Sequence, residues 1–141
     1  MTDSYDKHRD NARERNKRMS ESGRDIGDLP PVENPERKAE CERDFQLFCE
    51  RYFPDLFHLG WSQDHLKAIN KIERSVLFGG LFALAMPRGS GKTTLCEVAC
   101  IWAIVYGHHA FVCLIGSDES SACEMLDSIH ILVLRSKTRN W

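Results

Sequence analysis

The sequence has no apolar run near the ~20 residues that a membrane-spanning helix needs, and Met1 to Asp10 holds no apolar stretch of the kind a secretory signal requires. The expected compartment is therefore the cytoplasm, and no membrane partner is expected. Strong charge of one sign is also missing. The formal net charge is −2, so charge alone marks neither a nucleic-acid binder nor a membrane-surface protein. There is no CxxC pair among the six cysteines. Cys96 and Cys100 with His108 and His109 lack the close ligand pairs of a zinc site. Cys96, Cys100 and Cys113 lie in apolar stretches and are expected as small buried hydrophobes in a reducing compartment. No internal repeat is visible.

What remains is 141 residues with an apolar share of 42%, a composition ordinary for about one globular domain. Residues 1–37 are polar and rich in breakers (Gly23, Gly27, Pro30, Pro31, Pro35) and form an expected flexible N-terminal arm. Six basic side chains fall within it, at Lys7, Arg9, Arg13, Arg15, Lys17 and Arg18. A basic arm can touch DNA phosphates, but Asp10 and Glu14 dilute the field, which favours a solvated helix or disordered arm.

Residues 38–80 form a helical lead-in. Phe45, Phe48, Cys49 and Tyr52 recur at helix-face spacing, and Pro54 ends that segment. Phe53, Leu56, Phe57, Leu59 and Trp61 make an aromatic-rich connection expected to belong to the core. Ser62 is placed to cap a second helix with Leu66, Ile69, Ile72 and Val76 as its apolar stripe, and Gly79-Gly80 stops it.

From residue 81 to 141 the pattern changes. Leu81 to Met86 is an unbroken apolar run bounded by glycines and by Pro87-Arg88-Gly89, as expected of a strand buried on both faces of a parallel sheet. Residues 93–106 suit a helix that buries Leu95, Val98, Ala99, Trp102 and Val105 and stops at Gly107. Ala110 to Ile115 reads as a second strand. Gly116-Ser117-Asp118 opens a third helix, with Ser117 as its cap and Ala122, Leu126, Ile129 and Val133 on one face. Strand, loop, helix, strand and helix in that order predict a βαβ unit. The expected fold class is α/β: a P-loop NTPase with a parallel sheet and flanking helices.

Between the first run and its helix lies Pro87-Arg88-Gly89-Ser90-Gly91-Lys92-Thr93-Thr94. The phosphate-loop pattern Gly-x-x-x-x-Gly-Lys-Ser/Thr is met at Gly91, Lys92 and Thr93, whereas its first glycine is replaced by Met86. Gly89 and Gly91 still permit the tight backbone path. Amides from Gly89 to Thr93, including Ser90, can point at phosphate oxygens from the positive end of the helix. Lys92 brings a charge to the β- and γ-phosphates, and the Thr93 hydroxyl is placed to hold Mg²⁺. Arg88, inside the loop, can either reach the γ-phosphate or pair with a carboxylate and hold the loop. Only Asp118-Glu119 offers an acidic pair after the second run. It fits the first turn of a helix, where negative charge is favoured, better than a metal-binding strand end.

This loop resembles that of phage terminase large subunits, the ATPase motors that load DNA into capsids, which carry arginine at this position and lack the first glycine. Tyr52-Phe53-Pro54 and Trp61-Ser62-Gln63-Asp64-His65 are similar to the helical lead-in of such ATPases. The resemblance covers about residues 36–134. It implies that Lys92, Thr93 and Thr94 bind Mg-ATP, that Arg88 couples hydrolysis to motion in cis, and that Gln63 reads the adenine edge. It also implies double-stranded DNA as substrate, a small terminase subunit and a portal as partners, and oligomers of the full-length protein. A terminase further needs an acidic (Walker B) strand and a nuclease domain; neither is legible here, so the chain is expected to be the first part of such an ATPase and inactive alone. A helicase-like P-loop translocase and a non-catalytic nucleotide-binding remnant stand as alternatives.

Overall fold

Asn34, Asp44, Ser62 and Asp118 each stand just before a helix, as residues whose side-chain oxygens accept the free amides of a first turn should. The computed structural model describes residues 10–18 and 31–137. The chain divides into two compact units, Met1–Pro31 and Val32–Trp141. In the first, residues 10–18 form helix α1 with every side chain exposed. Arg18 and Glu14 pair at 3.3 Å on its surface, worth a few tenths of a kcal/mol at such exposure. Lys7 and Arg9 lie outside the described residues, as does the chain end after Lys137.

The second unit is built from α2 (Pro35–Cys41), α3 (Phe45–Tyr52), α4 (Gln63–Phe78), α5 (Lys92–Val105) and α6 (Glu119–Lys137). Asn34 Oδ1 accepts from the Arg37 amide at 2.9 Å, with Pro35 in the first turn. Asp44 accepts from the Leu47 amide at 2.8 Å. Glu73, reaching across from α4, accepts from the Phe45 amide at 3.0 Å, so α4 helps to start α3. Gly79, at φ 78°, ends α4 as expected.

The core sits where α3, α4 and α5 meet. Phe45, Phe48, Cys49, Tyr52, Ile69, Ile72, Leu95, Val98, Ile101 and Trp102 are buried there. Each large side chain so covered contributes ~1.5–3 kcal/mol. Trp102 is fully covered, packs its ring 5.2 Å from that of Phe45 and donates its indole N–H to the Cys41 carbonyl at 2.9 Å. The turn after α5 is tied back by two histidines: His108 Nε2 donates to the Glu42 carbonyl at 2.8 Å, and His109 Nε2 to that of Val76 at 2.9 Å.

The α/β expectation is overturned. Among the described residues there is no strand, and the parallel sheet is absent; the unit is helical with two extended connections. Both runs expected as buried strands have one face in solvent. Leu81 and Phe82 are exposed, while Leu84 and Met86 lean on the core. Phe111 and Ile115 are 80% and 87% exposed, whereas Val112 and Leu114 are half-buried. The alternation is that of extended chain, but a strand exists only through its ladder. Among the described residues neither run finds a backbone partner.

Smaller expectations change for the same reason. With no sheet above them, Val105 on α5 and Leu126 on α6 are exposed, and Leu132 and Ser136 take the buried positions on α6. Cys96 and Cys113 are exposed and Cys100 is intermediate; Cys41 and Cys49 are the buried pair, and all six thiols are free. Asp118, not Ser117, caps α6: its Oδ1 accepts from the Ser121 amide at 2.7 Å. Gly116 has to be glycine, since a Cβ there would stand 2.6 Å from the Ala122 amide nitrogen. Among the described residues no helix is long and apolar enough to cross a membrane.

Candidate functional site

The loop 87–91 turns tightly: the Ser90 amide donates to the Pro87 carbonyl at 3.3 Å. Gly89 at φ 80° and Gly91 at φ 72° both occupy the left-handed region, which a side chain would make costly. Gly91 is the N-cap of α5 and no side chain caps that helix. The first amides of α5 are therefore left without intrahelical partners, at the end where the helix dipole is positive.

Lys92, the first residue of α5, is half-buried and folds its ammonium back to the Met86 carbonyl at 3.4 Å. This contact spans the loop from end to end. Ser90 is intermediate in exposure, but its Oγ is buried and has no hydrogen-bond partner among the described residues. An orphaned buried hydroxyl costs about 1–3 kcal/mol, which a polar ligand would relieve. Arg88 is exposed on the turn and makes no ion pair among the described residues.

Beside the loop opens a cleft of about 300 Å³, walled by Phe57, Trp61 and His65 on one side and by Gly89, Ser90, Gly91 and Thr94 on the other. The rings of Phe57 and Trp61 stand 5.1 Å apart, and the Trp61 indole N–H is fixed on Glu50 Oε1 at 2.7 Å. A flat, apolar wall next to free amides suits a ligand with an aromatic ring and an anionic tail.

Thr93 faces a different opening, of about 470 Å³, with Glu97, Ser117, Ser121 and Glu124. Glu97 is buried and accepts from the Ser128 hydroxyl at 2.9 Å, which ties α5 to α6. Gln63 is exposed at the start of α4 and does not line the aromatic cleft. Asp118 accepts from Ser121 and Ser117. Those bonds, the Ser121 amide first, hold its carboxyl below the usual range.

No family model, curated protein or solved structure matches this chain.

The arrangement thus brings Gly89, Ser90, Gly91 and Thr94 together around one cleft, with Lys92 folded onto the Met86 carbonyl next to it, and leaves Gln63, Arg88, Thr93 and Asp118 outside. Sequence reasoning assigned Phe57 and Trp61 to the core; the structure lets them pack on it and also line the cleft. His65 was missed as a wall residue. Its signal was the Ser62-x-x-His65 spacing of a capping box, which says nothing of a contact 25 residues further on.

Proposed function

We propose that residues 87–94 bind the polyphosphate of Mg-ATP, and that this chain supplies the ATP-binding part of a terminase-like motor that couples ATP to DNA translocation. The observation that carries the nucleotide reading is the pair of left-handed glycines feeding an uncapped α5 whose first residue is Lys92. Unpaired amides, a helix dipole and an ammonium at one point form an anion site, and the buried Ser90 hydroxyl offers one more donor. The cleft walled by Phe57 and Trp61 has room for the base. Mg²⁺ would be held by the Thr93 hydroxyl together with the phosphates; bound there, it would neutralise the charge that develops on them.

The motor part of the reading rests on the resemblance of the loop and lead-in to terminases. So do DNA, a small subunit, a portal, further copies of the full-length protein and the host-cell cytoplasm. A nucleotide-binding module without turnover is the second reading, and one observation favours it. Asp118, the first residue of the acidic pair beyond the loop, is committed to capping α6.

Calorimetric titration of the chain with Mg-ATP tests this. Binding is expected, with ATP turnover at background and with Lys92→Ala at least tenfold weaker. Absence of heat from the wild-type chain removes the nucleotide reading, and turnover that Lys92→Ala abolishes removes the inactive one.

A further inference from the structure

His65 makes a contact that the helix cap does not require. At the start of α4 its Nδ1 lies 2.7 Å from Ser62 Oγ and 3.4 Å from the Ser62 amide nitrogen, while Ser62 Oγ accepts from the His65 amide at 3.3 Å. That closes a capping box. The other ring nitrogen, Nε2, lies 2.8 Å from the carbonyl oxygen of Ser90. A carbonyl only accepts, so Nε2 carries the proton, and in the neutral ring Nδ1 is the acceptor for Ser62. Both nitrogens are thereby committed, one to the first turn of α4 and one to the phosphate loop.

The Ser90 carbonyl belongs to the same planar peptide as the Gly91 amide, and in a trans peptide the two point in opposite directions. Fixing the carbonyl on His65 therefore fixes the direction of the Gly91 N–H. This matters because Gly89 and Gly91 flank the group and turn easily. With a glycine on either side of Ser90, that peptide unit could otherwise rotate and re-aim its amide. The His65 ring also stands edge-on to Trp61, with centroids 6.0 Å apart, in the wall of the same cleft.

We propose that His65 is a positioning residue that pins the Ser90–Gly91 peptide, holding the loop ready for phosphate and joining it mechanically to the aromatic wall of the cleft. This rests on the nucleotide reading above for its ligand, but not for the pin itself. The test compares His65→Leu, His65→Gln and His65→Glu with Ile72→Val, a mild core change elsewhere on α4. Three quantities are read: hydrogen–deuterium exchange of the Ser90 amide, which the turn bonds to the Pro87 carbonyl, without ligand; Kd for Mg-ATP; and Tm.

His65→Leu is expected to speed loop exchange and to weaken Mg-ATP, each by about tenfold. His65→Gln restores both to within about threefold, because its amide donates to Ser90 while its carbonyl accepts from Ser62. His65→Glu keeps the cap but has no donor for Ser90, so its loop exchanges as fast as in the leucine variant even if that variant folds poorly. Ile72→Val lowers Tm and leaves loop exchange and Kd alone. Wild-type exchange rates in the leucine and glutamate variants overturn the proposal, as does a loop that loosens equally in Ile72→Val. Should the pin register in exchange while the wild-type chain binds no Mg-ATP, the nucleotide reading fails and the pin stands.

Discussion

The two extended runs, 81–86 and 110–115, are apolar throughout, whereas the helices of the α3, α4 and α5 junction mix apolar with polar residues; yet the junction is buried and the runs stay half in solvent. In the junction each apolar side chain meets several others, and each helix satisfies its own backbone. The runs satisfy neither need. Leu84, Met86, Val112 and Leu114 lean inward, the remaining side chains of both runs are exposed, and their amides and carbonyls find no ladder among the described residues. A helix carries its hydrogen bonds with it, whereas a strand borrows them from a neighbour. Hydrophobicity therefore predicts burial only where the backbone problem is already solved.

The sharpest way to break the junction is Trp102→Ala. It opens a cavity beside Phe45 and removes the donor to the Cys41 carbonyl, so it should cost about 3–5 kcal/mol by chemical denaturation. A cost below 1 kcal/mol would mean that the junction is far looser than its burial implies. Between the two regions stands the loop 87–91; on the proposed nucleotide reading, Lys92→Ala should raise the Kd for Mg-ATP at least tenfold, or about 1.4 kcal/mol, with Tm nearly unchanged. Phe111→Lys or Ile115→Lys, on the exposed side of the second run, should leave stability within about 0.5 kcal/mol. Either should reduce self-association in light scattering, since a charge blunts an open apolar edge.

Thiol labelling sharpens the contrast without mutation. Cys113 on the second run and Cys123 on α6 are exposed and should react with maleimide first. Cys41 and Cys49 should react only on unfolding. Burial pushes the Cys41 thiol up to about 11 and raises that of Cys49 as well. A thiol with a raised folded pKa favours the fold below its ordinary value near 9.0, and that contribution is lost as pH rises through the folded value. Alkaline unfolding should accordingly expose Cys41 and Cys49 to reagent together.

The smallest effect expected is at Asp118. Its carboxyl is held below the usual range by Ser121, so the cap contributes above the ordinary aspartate pKa and is lost as pH falls through the lower, folded one. Asp118→Ala should fray the first turn of α6 in hydrogen exchange at neutral pH and remove that acid dependence.

Much of the helical part was legible. Ser62 announced the start of α4, Gly79 its end, and Phe45, Phe48, Cys49 and Tyr52 the inward face of α3, because a cap or a helix face depends on residues within a turn or two. The turn at Gly89 and Gly91 ahead of Lys92 was legible for a similar reason, since left-handed glycines leading into a helix need only a few consecutive residues. The cleft wall was not. His65 meets Ser90 across 25 residues of chain, Phe57 and Trp61 line the same cleft, and nothing in their own neighbourhood distinguishes a ring that lines a cleft from one that fills a core.

The sequence by itself determined where helices start and stop, which faces are apolar, and that a glycine-rich turn leads into α5 with a lysine at its head, all consequences of short-range sterics and hydrogen bonding. Only the tertiary structure decided that Leu81 to Met86 and Ala110 to Ile115 lie extended without a sheet and that His65 reaches Ser90. Each of those depends on whether a second segment of chain arrives at bonding distance, and that is a property of the packed molecule rather than of any window of residues.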